Sequence, residues 1–218
     1  MTRKTIKLVI FLLVAIGGVY SLLLIPNILF VKNIGDEVRK AAYEERYLRL
    51  VTSDEIIGKL QSIHNLTLLE TKLEYLAHLT VIKAVRSLRT SDYAYAMENI
   101  RILKEEFPNN TSIPSFKIIL GLYFGNTALV SESIKNLVRV NCCDEFTHIT
   151  LGSILITKWS KLDTESKANL RIFFENGFNN EPSIYFLVRA LKDTPYITDF
   201  IDLIPNGNQK KLLLRKVS

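Results

Sequence analysis

The chain has only two cysteines, and they are neighbours, Cys142 and Cys143. Two cysteines cannot staple a small secreted scaffold or close a four-ligand zinc site, and there is no Cys-x-x-Cys. The pair reads as two small apolar side chains at a helix end, with a vicinal disulfide as the alternative in an oxidising compartment. Six prolines and nine glycines in 218 residues are too few for an all-β protein that reverses direction about every ten residues. Chemistry is equally sparse. There is no Gly-rich phosphate loop and no Gly-x-Ser-x-Gly elbow. None of the three histidines, His64, His78 and His148, stands in a His-Glu-x-x-His or beside a carboxylate at metal-ligand spacing. Glu44-Glu45 and Glu105-Glu106 are adjacent pairs, which do not face each other on a helix and read as solvated faces. No catalytic residue, cofactor site or metal site is expected, and the chain is not expected to be an enzyme.

What it does have is one long uncharged run. Residues Leu8 to Val31 carry no charged side chain, and only Gly17, Gly18, Ser21, Pro26 and Asn27 interrupt the apolar residues. Crossing a bilayer takes about 20 such residues. The run is too long for the apolar part of a cleaved signal and ends in Phe30-Val31-Lys32-Asn33, without small residues at a cleavage site. It therefore predicts a retained signal anchor over 8–31, with Pro26 and Asn27 ending or kinking the helix. Arg3, Lys4 and Lys7 precede it in a basic arm (1–7), while Lys32, Arg39, Lys40 and Arg46 follow. The flanking bases nearly balance, so the positive-inside rule does not decide. The short arm and the usual behaviour of signal anchors favour a cytoplasmic N-terminus.

The net charge of +6 sits at the two ends. Beyond the N-terminal arm, Lys210, Lys211, Arg215 and Lys216 lie in a basic tail (207–218) that has no acid. The body between is close to neutral. A nucleic-acid partner would call for a basic stripe on the folded body, and none is expected.

The rest reads as helices. Residues 32–63 predict a juxtamembrane helical stalk, with a capping box at Thr52-Ser53-Asp54-Glu55. A long helix is expected from Thr67 to about Arg89. The next begins after Thr90-Ser91-Asp92, with the stripe Ala96, Met97, Ile100, Leu103 and Phe107, and Pro108 stops it. The helix opened by Pro114 is apolar all round, which places it inside a helical stack. Gly125-Asn126 turns the chain into a stripe of Val130, Ile134, Leu137 and Val138. Further helices are expected at about Thr147–Lys158, Thr164–Asn176, Pro182–Lys192 and Pro195–Ile204. The expected fold is all-α: a transmembrane helix, then antiparallel helix pairs over 64–206.

A period of 34 residues links Ser91-Asp92-Tyr93 with Gly125-Asn126-Thr127, Ala96 with Val130, Ile100 with Ile134 and Leu103 with Leu137. A third unit, through Asp163, Ala168 and Ile172, needs a shift of 38. Over residues 91–108 the sequence resembles the tetratricopeptide repeat family. Ser91-Asp92-Tyr93 stands where that family has its Gly-Asp-Tyr turn, and Ala96, Ile100, Leu103 and Pro108 keep its spacing. Its first helix departs: Thr80, Lys83, Ala84 and Ser87 replace Trp, Leu, Gly and Tyr, and only Ala84 fits. The second copy has Val130 for the small residue and Cys142 for the proline.

The resemblance implies an α-solenoid that binds proteins, on the concave side lined by the first helix of each pair. The candidate surface is Thr80, Lys83, Lys117, Gly121 and Phe124. An anchor followed by such repeats is similar in architecture to bacterial envelope scaffolds for assembly or secretion. The expectation is a single-pass inner-membrane adaptor with a periplasmic helical domain. Its partners would be other proteins and, through 8–31, the membrane; nucleic acid is excluded and a homo-oligomer is left open. The alternative is an accessory subunit of a membrane enzyme or transporter, as in cell-surface polysaccharide synthesis or export, contacting it through the transmembrane helix.

Overall fold

A computed structural model describes residues 24–44, 46–50, 52–63, 68–139 and 144–217. Among them the secondary structure is entirely helical. The first helix, α1 (24–43), runs through Pro26 and Asn27, so it does not end there as one form of the expectation had it. Its inner face is set by spacing. Val31, Gly35, Val38, Ala41 and Ala42 recur at three- and four-residue steps and are buried. Residues 32–63, expected as a stalk, thus supply core: Val38, Ala41, Tyr47, Leu50, Ile57 and Leu60 share one apolar cluster with the helices that follow.

α2 (Asp54–Gln61) is capped by Ser53, whose hydroxyl accepts from the Ile56 N–H at 3.2 Å. The cap is one residue later than the sequence suggests, with Ser53 taking the place expected of Thr52. α3 (Leu69–Ser87) ends where Leu88 adopts φ +53°, a left-handed cap normally given to glycine. α4 (Thr90–Glu106) therefore contains Ser91-Asp92-Tyr93 in its first turn rather than following it. α5 (Ile113–Phe124) is buried along nearly all its length and packs on α3, α4 and α6 (Thr127–Arg139). The turn between α4 and α5 is tied back to α3. Ser112 donates to Glu74 at 2.6 Å, and the Asn110 amide donates to Glu70 at 3.2 Å.

Two antiparallel pairs, α3/α4 and α5/α6, carry the most intimate packing. Residues 34 apart play the same part in each: Ala96, Ile100 and Leu103 on α4, and Val130, Ile134 and Leu137 on α6, are all buried. The larger Val130 fits because its neighbour is small. A Cβ on Gly121 would stand 2.6 Å from the Val130 methyl and 3.0 Å from the Asn126 carbonyl oxygen. Gly125, at φ +74°, closes α5, and Asn126 accepts from the Leu129 N–H to open α6.

The C-terminal half abandons the period. Glu145–Thr147, His148–Gly152 and Ser153–Thr157 form one continuous helix, α7, whose middle stretch is π-helical. The helix expected over Thr164–Asn176 is two, α8 (Thr164–Asn169) and α9 (Arg171–Phe178), broken at the buried Leu170. Ala168 and Ile172, the apolar positions proposed for a third repeat, are exposed. α10 (Ser183–Lys192) packs on α7 and α9. α11 (Ile197–Phe200) starts two residues after Pro195 and passes into a 3-10 turn, Ile201–Leu203. The basic tail folds as α12 (Asn208–Val217), docked on α10 with Leu213 fully buried.

Substituting Gly121→Ala is expected to destabilise the fold by about 1–3 kcal/mol through overpacking. Adding Val130→Ala removes the clashing methyl, so the double variant loses less than the sum of the two single changes. Denaturant unfolding of the four proteins measures both effects.

Candidate functional site

The described helices leave an open cleft of about 580 Å³ where four parts of the chain meet, within the size range of ligand-binding clefts. One wall is the end of α1 and the turn after it, Ala42, Tyr47, Leu48 and Arg49. The π-helical stretch and the turns after it, from Ile149 to Thr157, form the floor. Phe186 and Ala190 of α10 stand opposite, and Tyr123 closes one end. The π stretch is a local widening of a helix, a feature that recurs at functional sites. Thr150 and Thr157 donate their hydroxyls to carbonyls of their own helix at 2.8 and 2.9 Å, and Thr194 caps α10 the same way at 2.9 Å. The lining therefore mixes apolar side chains with hydroxyls in nearly equal measure and carries the charged Arg49, Arg189 and Asp193.

The walls are held from behind. Tyr43 donates to Glu145 and meets the Phe186 ring edge-on at 5.9 Å, joining α1 to α7 and α10. The Lys158 ammonium lies 4.7 Å from the centre of the Tyr123 ring, a favourable cation–π placement. Tyr47 bridges cleft and core: its hydroxyl is 2.5 Å from His78 Nδ1. His78 is packed edge-on against Phe116 and Phe146 at 4.6 and 5.6 Å. Burial pushes the His78 pKa down to about 3, outweighing the attraction of Asp144. Burial also raises the Tyr47 phenol. Both groups are therefore neutral at physiological pH and share a single hydrogen bond. His148 is buried too; its Nε2–H donates to the Phe173 carbonyl at 3.2 Å, and burial lowers its pKa.

Of the five residues expected to line a concave surface, two are buried and three are half-buried. Thr80 is buried and donates to the Leu76 carbonyl at 2.7 Å, and Gly121 is buried against α6. Lys83 pairs with Asp54 at 2.5 Å and Asp92 at 3.6 Å, clamping α2, α3 and α4 together. Phe124 rests on Tyr93, ring centres 4.7 Å apart, so Lys83 and Phe124 flank the first turn of α4. Lys117 is half-buried on α5, two helical turns before Phe124. The sequence reading missed the cleft, because its walls come from four distant segments that share no motif. His64, Cys142, Cys143 and residues 8–23 of the expected span lie outside the described residues. Among the described residues no helix is long and apolar enough to cross a membrane. No group of three His, Cys, Asp or Glu there could hold a metal ion.

No family model matches the chain, and no curated protein or solved structure is significantly similar to it.

The buried histidines set a pH dependence. His78 folds with its pKa depressed from 6.5 to about 3, so between those values the unfolded chain binds the extra proton. Its contribution to stability is complete above about pH 6.5 and is lost as pH falls toward 3, with a slope approaching 1.4 kcal/mol per pH unit. His148 adds in the same direction. Unfolding of the full chain at several pH values is expected to show this slope, and His78→Gln to reduce it.

Proposed function

We propose that this chain is a membrane-anchored helical scaffold that holds another protein at the membrane surface. One observation carries the reading: α1 joins the uncharged run of the sequence to the core of the domain. Ile25, Ile28 and Leu29 on its outer face are 46, 41 and 52 % exposed, yet Val31, two residues on, is buried inside the domain. Large exposed apolar side chains on successive turns of one face fit lipid or a protein within lipid better than water. The cleft supplies the place for the partner. A floor where Ile149 and Ile154 alternate with the hydroxyls of Thr150, Ser153 and Thr157, beside charged groups, suits a protein segment that brings both apolar side chains and hydrogen-bonding groups.

In this reading α3/α4 and α5/α6 are two tetratricopeptide-like units, and the anchor sits in a bacterial inner membrane with the helical domain periplasmic. The same exposed face of α1 also favours a second reading, an accessory subunit that touches a membrane enzyme or transporter through its transmembrane helix.

Paired reporters fused after Ser218, one active only outside the cytoplasm and one only inside, test the topology. An outside signal is expected, and an inside signal reverses the anchor. A photo-crosslinking amino acid at Thr157 is expected to give a discrete protein adduct in cells, and Ala190→Trp, which fills the cleft, to abolish it while the protein stays folded. An adduct insensitive to that change removes the cleft from the proposal. Exchange of residues 8–23 together with Ile25, Ile28 and Leu29 for unrelated apolar residues separates the two readings, since the scaffold tolerates the exchange and the accessory subunit does not.

A further inference from the structure

We infer that the C-terminal end of α2, around Lys59 and Ser62, rests directly on the lipid headgroups, so that the helical domain sits on the bilayer with no stalk beneath it. The inference rests on the membrane-anchor reading and adds where the domain meets the lipid. Residues 25, 28, 29, 32 and 36 share the outer face of α1 by their three- and four-residue spacing. The first three are exposed and apolar, and the last two are Lys32 and Asp36, both exposed. One face thus changes from hydrocarbon to charge between Leu29 and Lys32, a rise of about 4.5 Å. That change marks a water–lipid boundary on the helix.

The end of α2 is level with it. The Lys59 ammonium lies 4.3 Å from the centre of the Phe30 ring, and Val31 is buried in the core. The end of α2 therefore stands at the height where the face changes. Gln61 and Ser62 are exposed there, and both nearby bases, Lys32 and Lys59, are of the sign that anionic headgroups attract. The Lys59 ammonium, on an exposed residue and held over the Phe30 ring, is a cation–π placement at the level where the face changes, within reach of the headgroup layer. The acids of α2, Asp54 and Glu55, are at its other end, and Asp54 is paired with Lys83.

The test uses the full chain in vesicles of phosphatidylcholine with and without phosphatidylglycerol, some carrying a nitroxide on the headgroup. Tryptophan is added in place of Gln61, or of the exposed Glu165 on α8 as a control, and the emission of the parent protein is subtracted. The expected result is that the chain floats with the vesicles and the headgroup nitroxide quenches Gln61→Trp several-fold more than Glu165→Trp. Lys59→Glu should weaken that quenching in the phosphatidylglycerol vesicles only. Flotation with equal quenching at the two positions overturns the seat on the lipid and leaves the anchor standing. Quenching at Gln61→Trp that Lys59→Glu leaves unchanged overturns the role of the bases. A chain that fails to float overturns the anchor and the seat together.

Discussion

The Tyr75 ring lies so close to Gly35 that a single methyl on α1 would collide with its hydroxyl. That contact sets the distance between α1 and α3, and much else follows from it. With α1 drawn in, Val31 and Val38 reach the core and contribute roughly 1.5 kcal/mol each. At about 1.4 kcal/mol per tenfold in equilibrium, two such side chains already favour the docked helix by two orders of magnitude. The docked α1 then presents Tyr43 to Glu145 and Phe186, and Ala42 to the cleft. Without the close approach, the first wall of the cleft would have no fixed place.

The same device recurs along the fold. Gly121 admits Val130, and the Leu187 side chain is wedged against both Gly152 and Gly177. Each of these glycines lies within a helix, where its backbone freedom is a cost. Each stands where a neighbouring side chain occupies the space of a Cβ. Polar groups are arranged around this packing rather than driving it. The Lys83 pairs with Asp54 and Asp92, and the Glu74 bond to Ser112, fix which helix ends meet.

Much of the N-terminal half was legible in the sequence because its stripes have clean helical spacing and its turns carry recognisable residues. Pro114 opens α5, Gly125-Asn126 closes it, and the 34-residue period falls on buried positions of α4 and α6. The replacement of a small residue by Val130 looks like a defect in the sequence and is compensated by Gly121, a partner that only the packing identifies. Other features had no local signature. Leu88 holds a left-handed cap that composition would assign to glycine. Helix-friendly residues on both sides of Leu170 hide the break between α8 and α9. Ile172 looked like a core residue and is 55 % exposed. His78 could not be separated from a surface histidine until Phe116, Phe146 and Tyr47 were seen to enclose it. The cleft was hidden for the most general reason, that residues 42, 123, 149 and 186 come together only in three dimensions.

One consequence concerns mechanics. The described part of α1 is a rod of 20 residues, about 30 Å long, with Ile25 towards one end of that part and Ala42, a lining residue of the cleft, towards the other. A rod gripped by a close-packed core from Val31 onward transmits torque instead of absorbing it, since packed interiors are stiff. Tilting or turning its Ile25 end swings the Ala42 wall relative to the π-helical floor. The cleft and the outer end of α1 are thus two ends of one lever, and work done at either end is felt at the other.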